Sequence, residues 1–585
     1  MHVRDTLTVV VCSILAVAML VAASMRLAPI RQAREEMNLV SNASLENAPP
    51  SLAFATVAMG AFRGLIVDIL WIRADKLKQE GQFFDAKQLA EWITVLQPRF
   101  ATVWIFHGWN MAYNISVAVP NTQPEERWRW VRNGYELLRD KGIEKNPHSI
   151  SLYRELAWIF QHKISGVNDD CHMYYKRQLA LAMRPLLGEK TREEFQALAR
   201  APEELSDIMQ DADIKSFVEL LMQADDEFAN DDRFVKNYMA LRQNPNQFAD
   251  QAQEVVNSFR GTPALEKFDY FARAHQLRKV WKFDIDLMID LNDKYGAASI
   301  DDPNDRKPLN WEHPDVHAMY WAQKGLDVAG KPGKYSVDEK NTDRIIFHSL
   351  QNLFRRGKLI LYDLPDQAPA VFLRPDLEMF DSLNAAWIER IEKYEAFERG
   401  NPKAVRGGHR SMLMNAVEVF YRAGHRVKAA QIYAQLRQRY ATPEDRRFDV
   451  GLITFVRRRI AEELDRPGGK DATELIVMTL GEAYFRFAVH DDDEAAGRER
   501  WAREVYDLYQ TGSADGARTG LPPFDIMRYM ALRTFMEDPF YPDHLKLRLM
   551  GRIKIERPDL FDKLMKQEEA FQKLVEEAAR KRQGP

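Results

Sequence analysis

Beyond residue 60 the chain carries helical periodicity almost without a break, and the alternation of a half-buried strand is nearly absent. That feature confines the fold to packed helices. Turn signals punctuate the periodic stretches at Gln97-Pro98, Asn146-Pro147, Asn244-Pro245, Arg466-Pro467-Gly468-Gly469 and Leu521-Pro522-Pro523. Helices of ordinary length alternating with such turns pack as antiparallel pairs. With 585 residues the chain has room for two or three domains, or for one elongated repeat array.

Hydrophobic residues at 46% supply a core, and charged residues at 29% exclude general disorder. The 82 basic and 86 acidic residues nearly cancel, to a net charge of −4, and no long basic stripe appears. Nucleic acid is therefore not an expected partner. Cys12 lies in an apolar N-terminal segment and Cys171 stands alone, so no disulfide framework is expected. Cysteine usage leaves the compartment open.

From Thr6 to Met25 the chain carries no charge. A helix rising about 1.5 Å per residue over that stretch matches a hydrocarbon core of about 30 Å, so one transmembrane helix is expected. A cleaved signal peptide is the competing reading, with Val21 and Ala23 as its small-residue site, but Arg4 offset by Asp5 is a weak start for one. Arg26, Arg31 and Arg34 behind the segment place the body in the cytoplasm on a positive-inside count, whereas a short inner N-tail with a translocated body is a common single-pass arrangement. The side of the membrane is left undetermined. Residues 41–51 read as a linker. A second apolar stretch, Leu52 to Ile72, holds Arg63 and Asp68 and reads as a buried or membrane-surface helix that opens the body, with a second span as the alternative.

The body contains a repeating pattern. Leu70, Ala74, Leu77, Gly81, Ala86, Ala90, Ile93 and Pro98 place a large residue, a small one four later, a large one three later, a turn glycine, two alanines four apart and a closing proline. This resembles the tetratricopeptide repeat (TPR), in which small residues let two helices close and large ones fill the grooves beside them. Trp104, Gly108 and Met111 after Pro98 have the offsets of Tyr153, Ala157 and Phe160 after Pro147. The middle pair departs from the family, because Tyr135 and Arg139 stand where a small and an aromatic residue are usual, and Pro98 and Pro147 are separated by more than the usual repeat of about 34 residues. Leu413, Val417, Phe420, Gly424, Ala429, Tyr433 and Leu436 restore the spacing. Val477, Gly481 and Tyr484 begin another unit, continued by Ala502 and Tyr506 after an acidic insertion, His490 to Glu494, read as a solvated loop.

The resemblance covers about residues 60–185 and 410–510. A generic helical-hairpin solenoid is the alternative. The expected fold is all-α, a TPR-like helical-hairpin solenoid (an αα superhelix) preceded by one transmembrane helix. The expected divisions are an anchor and linker over 1–50, TPR-like repeats over 51–200, an irregular helical region over 201–409, and C-terminal repeats over 410–585. The last of these ends in a polar capping helix from about Asp559 to Lys581.

Catalytic signatures are missing: there is no P-loop, nucleophile elbow, HExxH or Rossmann fingerprint. His313 and His317 could share a helical face with Asp315 near, but no third zinc ligand is identifiable, and they read as ordinary helix-start residues. The acidic cluster at 490–494 lacks the EF-hand glycine and glutamate. No cofactor or metal is expected, and no enzyme activity.

The TPR resemblance implies ligand binding on the concave surface lined by each unit's first helix. That face maps onto Trp71, Asp75, Ile105, Trp109, Tyr113, Arg154, Trp158, Gln161 and His162. Aromatic and arginine anchors suit a protein or peptide ligand, although tryptophans at helical spacing also serve as core. The leading expectation is a membrane-anchored scaffold for protein interaction or complex assembly. An enzyme or enzyme subunit with its site in the irregular middle, near Trp311 to Trp321, is a second reading. A structural spacer in an envelope assembly is a third.

Overall fold

The computed structural model describes residues 63–302, 304–329, 337–364, 367–395, 402–442, 446–464, 472–512, 521–538 and 541–582. The expected membrane helix over 6–25, the linker and the start of the second apolar stretch lie outside them. No helix among the described residues is long and apolar enough to cross a membrane. Among the described residues the chain is all-α apart from two small sheets, and it divides into two compact units.

The first unit holds residues up to 295 with 308–361 and 371–374. Its helices include α1 (Arg63–Gln79), α2 (Phe83–Leu96), α3 (Ala101–Trp109), α4 (Pro124–Glu136), α5 (Ile150–Trp158), α6 (His172–Leu187), α7 (Arg192–Arg200), α8 (Pro263–His275), α9 (Pro314–Ala329) and α10 (Val337–Arg356). Helices α1 and α2 form a hairpin about Gly81, whose φ of +78° only glycine adopts without strain. Ala74, Ala86 and Ala90 are completely buried in this unit, as their small size in the repeat pattern requires.

Four helices of this unit do not end where their α-hydrogen bonding ends. Helices α3, α4, α5 and α8 run on into π-helical turns at Asn110–Ile115, Leu137–Gly142, Ile159–Ile164 and Gln276–Val280. A π turn widens the helix and re-aims the side chains that follow, and such turns concentrate at functional sites. Helices α3 and α5 are each 9 residues long, so their π turns begin at the same distance from Pro98 and from Pro147. The departure of Tyr135 from the repeat pattern is resolved one residue earlier. A Cβ on Gly134 would lie 2.7 Å from the Gly108 carbonyl oxygen, so Gly134 supplies the close approach.

Helices α9 and α10 pack against α5. Trp311, Phe283, Tyr320 and Trp321 stack edge-on or tilted in the interior, so the tryptophans that suggested a site in the middle region are core. The expectation of helices alone fails at 358–374. Strands Lys358–Leu364 and Gln367–Arg374 form a two-stranded sheet. Leu359, Leu361, Val371 and Leu373 pack on Met173 and Ala180 of α6, one face of a period-two pattern.

The second unit comprises 296–307, 362–370 and 375–585. Beside a ribbon pairing Ala297 with Lys307 it contains α11 (Phe380–Glu395), α12 (Pro402–Arg422), α13 (Arg426–Tyr440), α14 (Ala472–Ala488), α15 (Asp492–Gly512), α16 (Phe524–Glu537), α17 (Asp543–Glu556) and α18 (Pro558–Arg582). Helices α12 with α13 and α14 with α15 make hairpins. Gly424 has φ +93°, and a Cβ on Gly497 would fall 1.9 Å from the Ala423 carbonyl oxygen, so α15 meets the α12–α13 turn backbone to backbone. The acidic stretch at 490–494 is a solvated turn only at His490 and Asp491. Asp492, Asp493 and Glu494 form the first turn of α15, where carboxylates face the positive end of the helix dipole, and Glu494 is buried. Helix α18 packs on α16 and α17.

Candidate functional site

The repeat places two aromatic pairs one unit apart. Trp109 is the last residue of α3 and stacks on Tyr113, with ring centroids 5.1 Å apart. Trp158 is the last residue of α5 and stacks on His162 at 4.8 Å. In each case the second ring sits four residues on, inside the π turn, so one backbone device aims both pairs. Tyr113 and His162 then meet across the units at 5.8 Å. The result is a continuous run, Trp109–Tyr113–His162–Trp158. Lys78 closes one end with its ammonium 4.7 Å from the Trp109 ring. Trp109, Tyr113 and His162 are half-buried, and Trp158 is 38% exposed.

The other concave-face residues are placed differently. Trp71 is half-buried and packs on Phe100 and Phe106 at 5.6 and 5.0 Å. Asp75 accepts a hydrogen bond from Gln79 at 2.8 Å, and Ile105 is half-buried. Arg154 pairs with Asp338, and the Gln161 amide donates to the Ile345 carbonyl at 2.8 Å and to Ser349 Oγ at 2.7 Å. Advancing from Arg154 in α5 to Gln161 in the π turn that continues it matches advancing along α10 from Asp338 to Ile345, so the two helices run parallel. Arg154 and Gln161 therefore hold the chain's own α10. Of the mapped face Trp158 is exposed, while Trp109, Tyr113 and His162 share the half-buried state of Trp71, Asp75 and Ile105.

Behind the run lies a sealed charge network that the sequence reading missed. Asp169 accepts from Lys163 at 2.5 Å, Arg127 at 3.2 Å, the Cys171 backbone N–H at 2.8 Å and the Tyr175 hydroxyl at 3.2 Å. Burial opposes the charge on Asp169, but these donors hold its carboxyl below the usual range. Burial lowers Lys163 against the pull of Asp169, and its ammonium also lies 5.4 Å from the Tyr113 ring. The segment from Ser165 to Cys171 is thus pinned beside the run, with Asn168 3.3 Å from His162.

Deeper still, Lys176 spends its three N–H bonds on the carbonyls of Ile164 and Gly166, both at 2.9 Å, and on His172 Nδ1 at 3.0 Å. Its ammonium thereby satisfies a carbonyl that ends a π turn, and burial brings its pKa down to about 7. Asp315 accepts from Ser165 and from Asn352, the latter at 3.1 Å, and burial raises it to about 6. Burial also keeps His313 and His317 neutral, near 3 and 4. His313 Nδ1 accepts from the Asp315 backbone N–H at 3.2 Å, and His317 packs among Phe160, Trp281 and Phe283. No group of three or more His, Cys, Asp or Glu among the described residues is arranged to hold a metal ion.

A signal for part of this was present. Lys176 falls on the same helical stripe as Leu179, Ala180 and Met183, where a charge needs a partner. Asp315 offered no such signal, because its partners come from Ser165 and Asn352, remote in sequence.

No family model and no curated protein matches the chain. Among solved structures, one described as "Structure of Naa15/Naa10 bound to HypK-THB" is similar at 13% identity, over 85% of this chain and 77% of that chain, with a TM-score of 0.15. A likeness at that score carries no argument, so the fold rests on the helices themselves.

Proposed function

We propose that the chain is a membrane-anchored, TPR-like helical scaffold that captures a segment of a partner protein on the run Trp109–Tyr113–His162–Trp158. The observation that carries this reading is that two successive repeats aim equivalent aromatic pairs into one continuous, partly exposed surface. Large rigid rings bind with little loss of side-chain entropy, which is why such residues dominate binding hot spots. The acid–base groups nearby support a structural role for themselves, since Lys163, Asp169, Lys176 and Asp315 are each committed to named internal partners. Anchoring rests on the uncharged segment Thr6 to Met25.

The test is the double substitution Trp109→Ala with Trp158→Ala in the full chain, purified from its native membranes. Partner recovery, measured by quantitative mass spectrometry, should fall at least about tenfold while far-ultraviolet circular dichroism stays unchanged. A folded double variant that retains its partners would remove the aromatic run as the binding surface.

A further inference from the structure

Helix α1 has two apolar sides, and only one of them is packed. Val67 and Ala74 are buried, whereas Leu65, Ile69 and Ile72 are exposed at 57, 58 and 68%. The spacing of these three places them in one stripe on the solvent side. A helix that is apolar on both sides is built for contact on both.

The α1–α2 hairpin concentrates this exposure at one end. Counting back from the Gly81 turn, Leu65 and Ile69 of α1 stand level with Val95 and Trp92 of α2, which are themselves 38 and 37% exposed. All four therefore lie toward the open end of the hairpin, the end at which the chain enters from its N-terminal side. Upstream of Arg63, Leu52 to Phe62 contains no charged residue, and the uncharged Thr6 to Met25 precedes it. Further along the α1 stripe Lys76 pairs with Glu80 at 3.8 Å, and exposed Asp68 and Arg73 stand at its two flanks. An apolar patch with a tryptophan, flanked by exposed charge and reached from an uncharged stretch of chain, matches the boundary between acyl chains and phosphate headgroups.

We infer that the open end of the α1–α2 hairpin rests in the bilayer interface, with Leu65, Ile69, Ile72, Trp92 and Val95 against acyl chains and Arg73 among lipid phosphates. This rests on the anchored reading, because the anchor is what holds the hairpin at the membrane. It goes beyond that reading by giving the scaffold a second contact, which fixes the orientation of the first repeat instead of leaving it on a free tether.

The test uses the full chain with Cys12→Ala and Cys171→Ala, carrying either Ile69→Cys or Ile72→Cys, labelled with an environment-sensitive fluorophore and reconstituted into phosphatidylcholine–phosphatidylglycerol vesicles. Leu547→Cys, at an exposed apolar position of the second unit, is the control. Brominated lipid should quench positions 69 and 72 about twofold or more and leave position 547 unchanged, as expected for side chains seated a few ångströms below the headgroups. Co-flotation with the vesicles but no quenching at 69 or 72 overturns the interfacial contact and leaves the anchor standing. So does shielding from aqueous iodide without lipid quenching, which would assign the stripe to another protein surface. A chain that does not float with the vesicles overturns the anchor, and this proposal with it.

Discussion

The first and second units use hairpins of similar spacing, but the buried charge around Asp169 in the first and around Arg486 in the second is secured in opposite ways. In the first unit one carboxylate, Asp169, serves Lys163, Arg127, Tyr175 and a backbone N–H together. In the second, buried Arg486 shares Asp491, Glu494 and Glu482 at 2.6, 3.4 and 3.5 Å, while Arg498 shares Glu494 and Glu482 at 3.1 and 3.5 Å. The first arrangement is a hub and the second a mesh. One buried histidine from each unit shows a like contrast. His107 of the first unit is buried with neither ring nitrogen hydrogen-bonded, whereas His409 of the second meets Tyr440 at 2.7 Å and Asn384 at 2.9 Å. The lesson is that the buried charge beside the aromatic run depends on a single carboxylate, whereas the charge around Arg486 and Arg498 is shared among several.

Acid should separate the units most strongly. His107, His313 and His317 are held near 3, 3 and 4, mainly by burial, against one deeply buried histidine, His409 near 4, in the second unit. Since each folded pKa lies below the unfolded value near 6.5, the unfolded chain binds the proton first. Their contribution is therefore complete above pH 6.5 and declines as pH falls toward 3–4, by about 1.4 kcal/mol per pH unit for each histidine. Asp315, raised to about 6, acts in the opposite sense and offsets part of the loss. Hydrogen exchange at pH 5 and pH 7.5, each corrected for intrinsic rate, should show protection lost first in the first unit. Equal loss in both would break the distinction.

Removing the hub is expected to cost about 3–5 kcal/mol, since Asp169→Ala leaves Lys163 and Arg127 buried without their anion. Glu494→Ala should cost about 1–2 kcal/mol, because both arginines retain a carboxylate. Urea unfolding of the two variants measures the gap, and equal losses would contradict the hub-and-mesh contrast. A smaller effect of opposite sign is expected at His107. His107→Leu removes two unsatisfied nitrogens and should raise stability by about 1–2 kcal/mol while weakening the acid response of the first unit. A loss of stability instead would mean that the imidazole has a partner in solution.

Much of this architecture was legible from residue spacing. Ala74, Ala86 and Ala90 marked close helix contacts, Gly81 and Gly424 marked turns, and Trp109 and Trp158 stood at matching offsets from Pro98 and Pro147. Other features depend on tertiary structure. The π turns have no sequence period of their own, and the pairing of Arg154 and Gln161 with α10 joins segments far apart in the chain. The sheet at 358–374 could have been read from Leu359, Leu361, Val371 and Leu373 flanking Pro365 and Asp366, but these short runs lie between long helical patterns. The acidic residues 492–494 pass for part of the turn at 490–491 because composition alone does not distinguish a loop from the first turn of a helix.

The most direct test of the scaffold account places a benzophenone amino acid at position 158 of the full chain in its native membranes and, for comparison, at exposed position 125. The account predicts a discrete protein adduct from position 158, none from 125, and loss of that adduct when Trp109→Ala is added at the far end of the run. No adduct from 158, or one that Trp109→Ala leaves unchanged, would contradict a partner bound along the four rings.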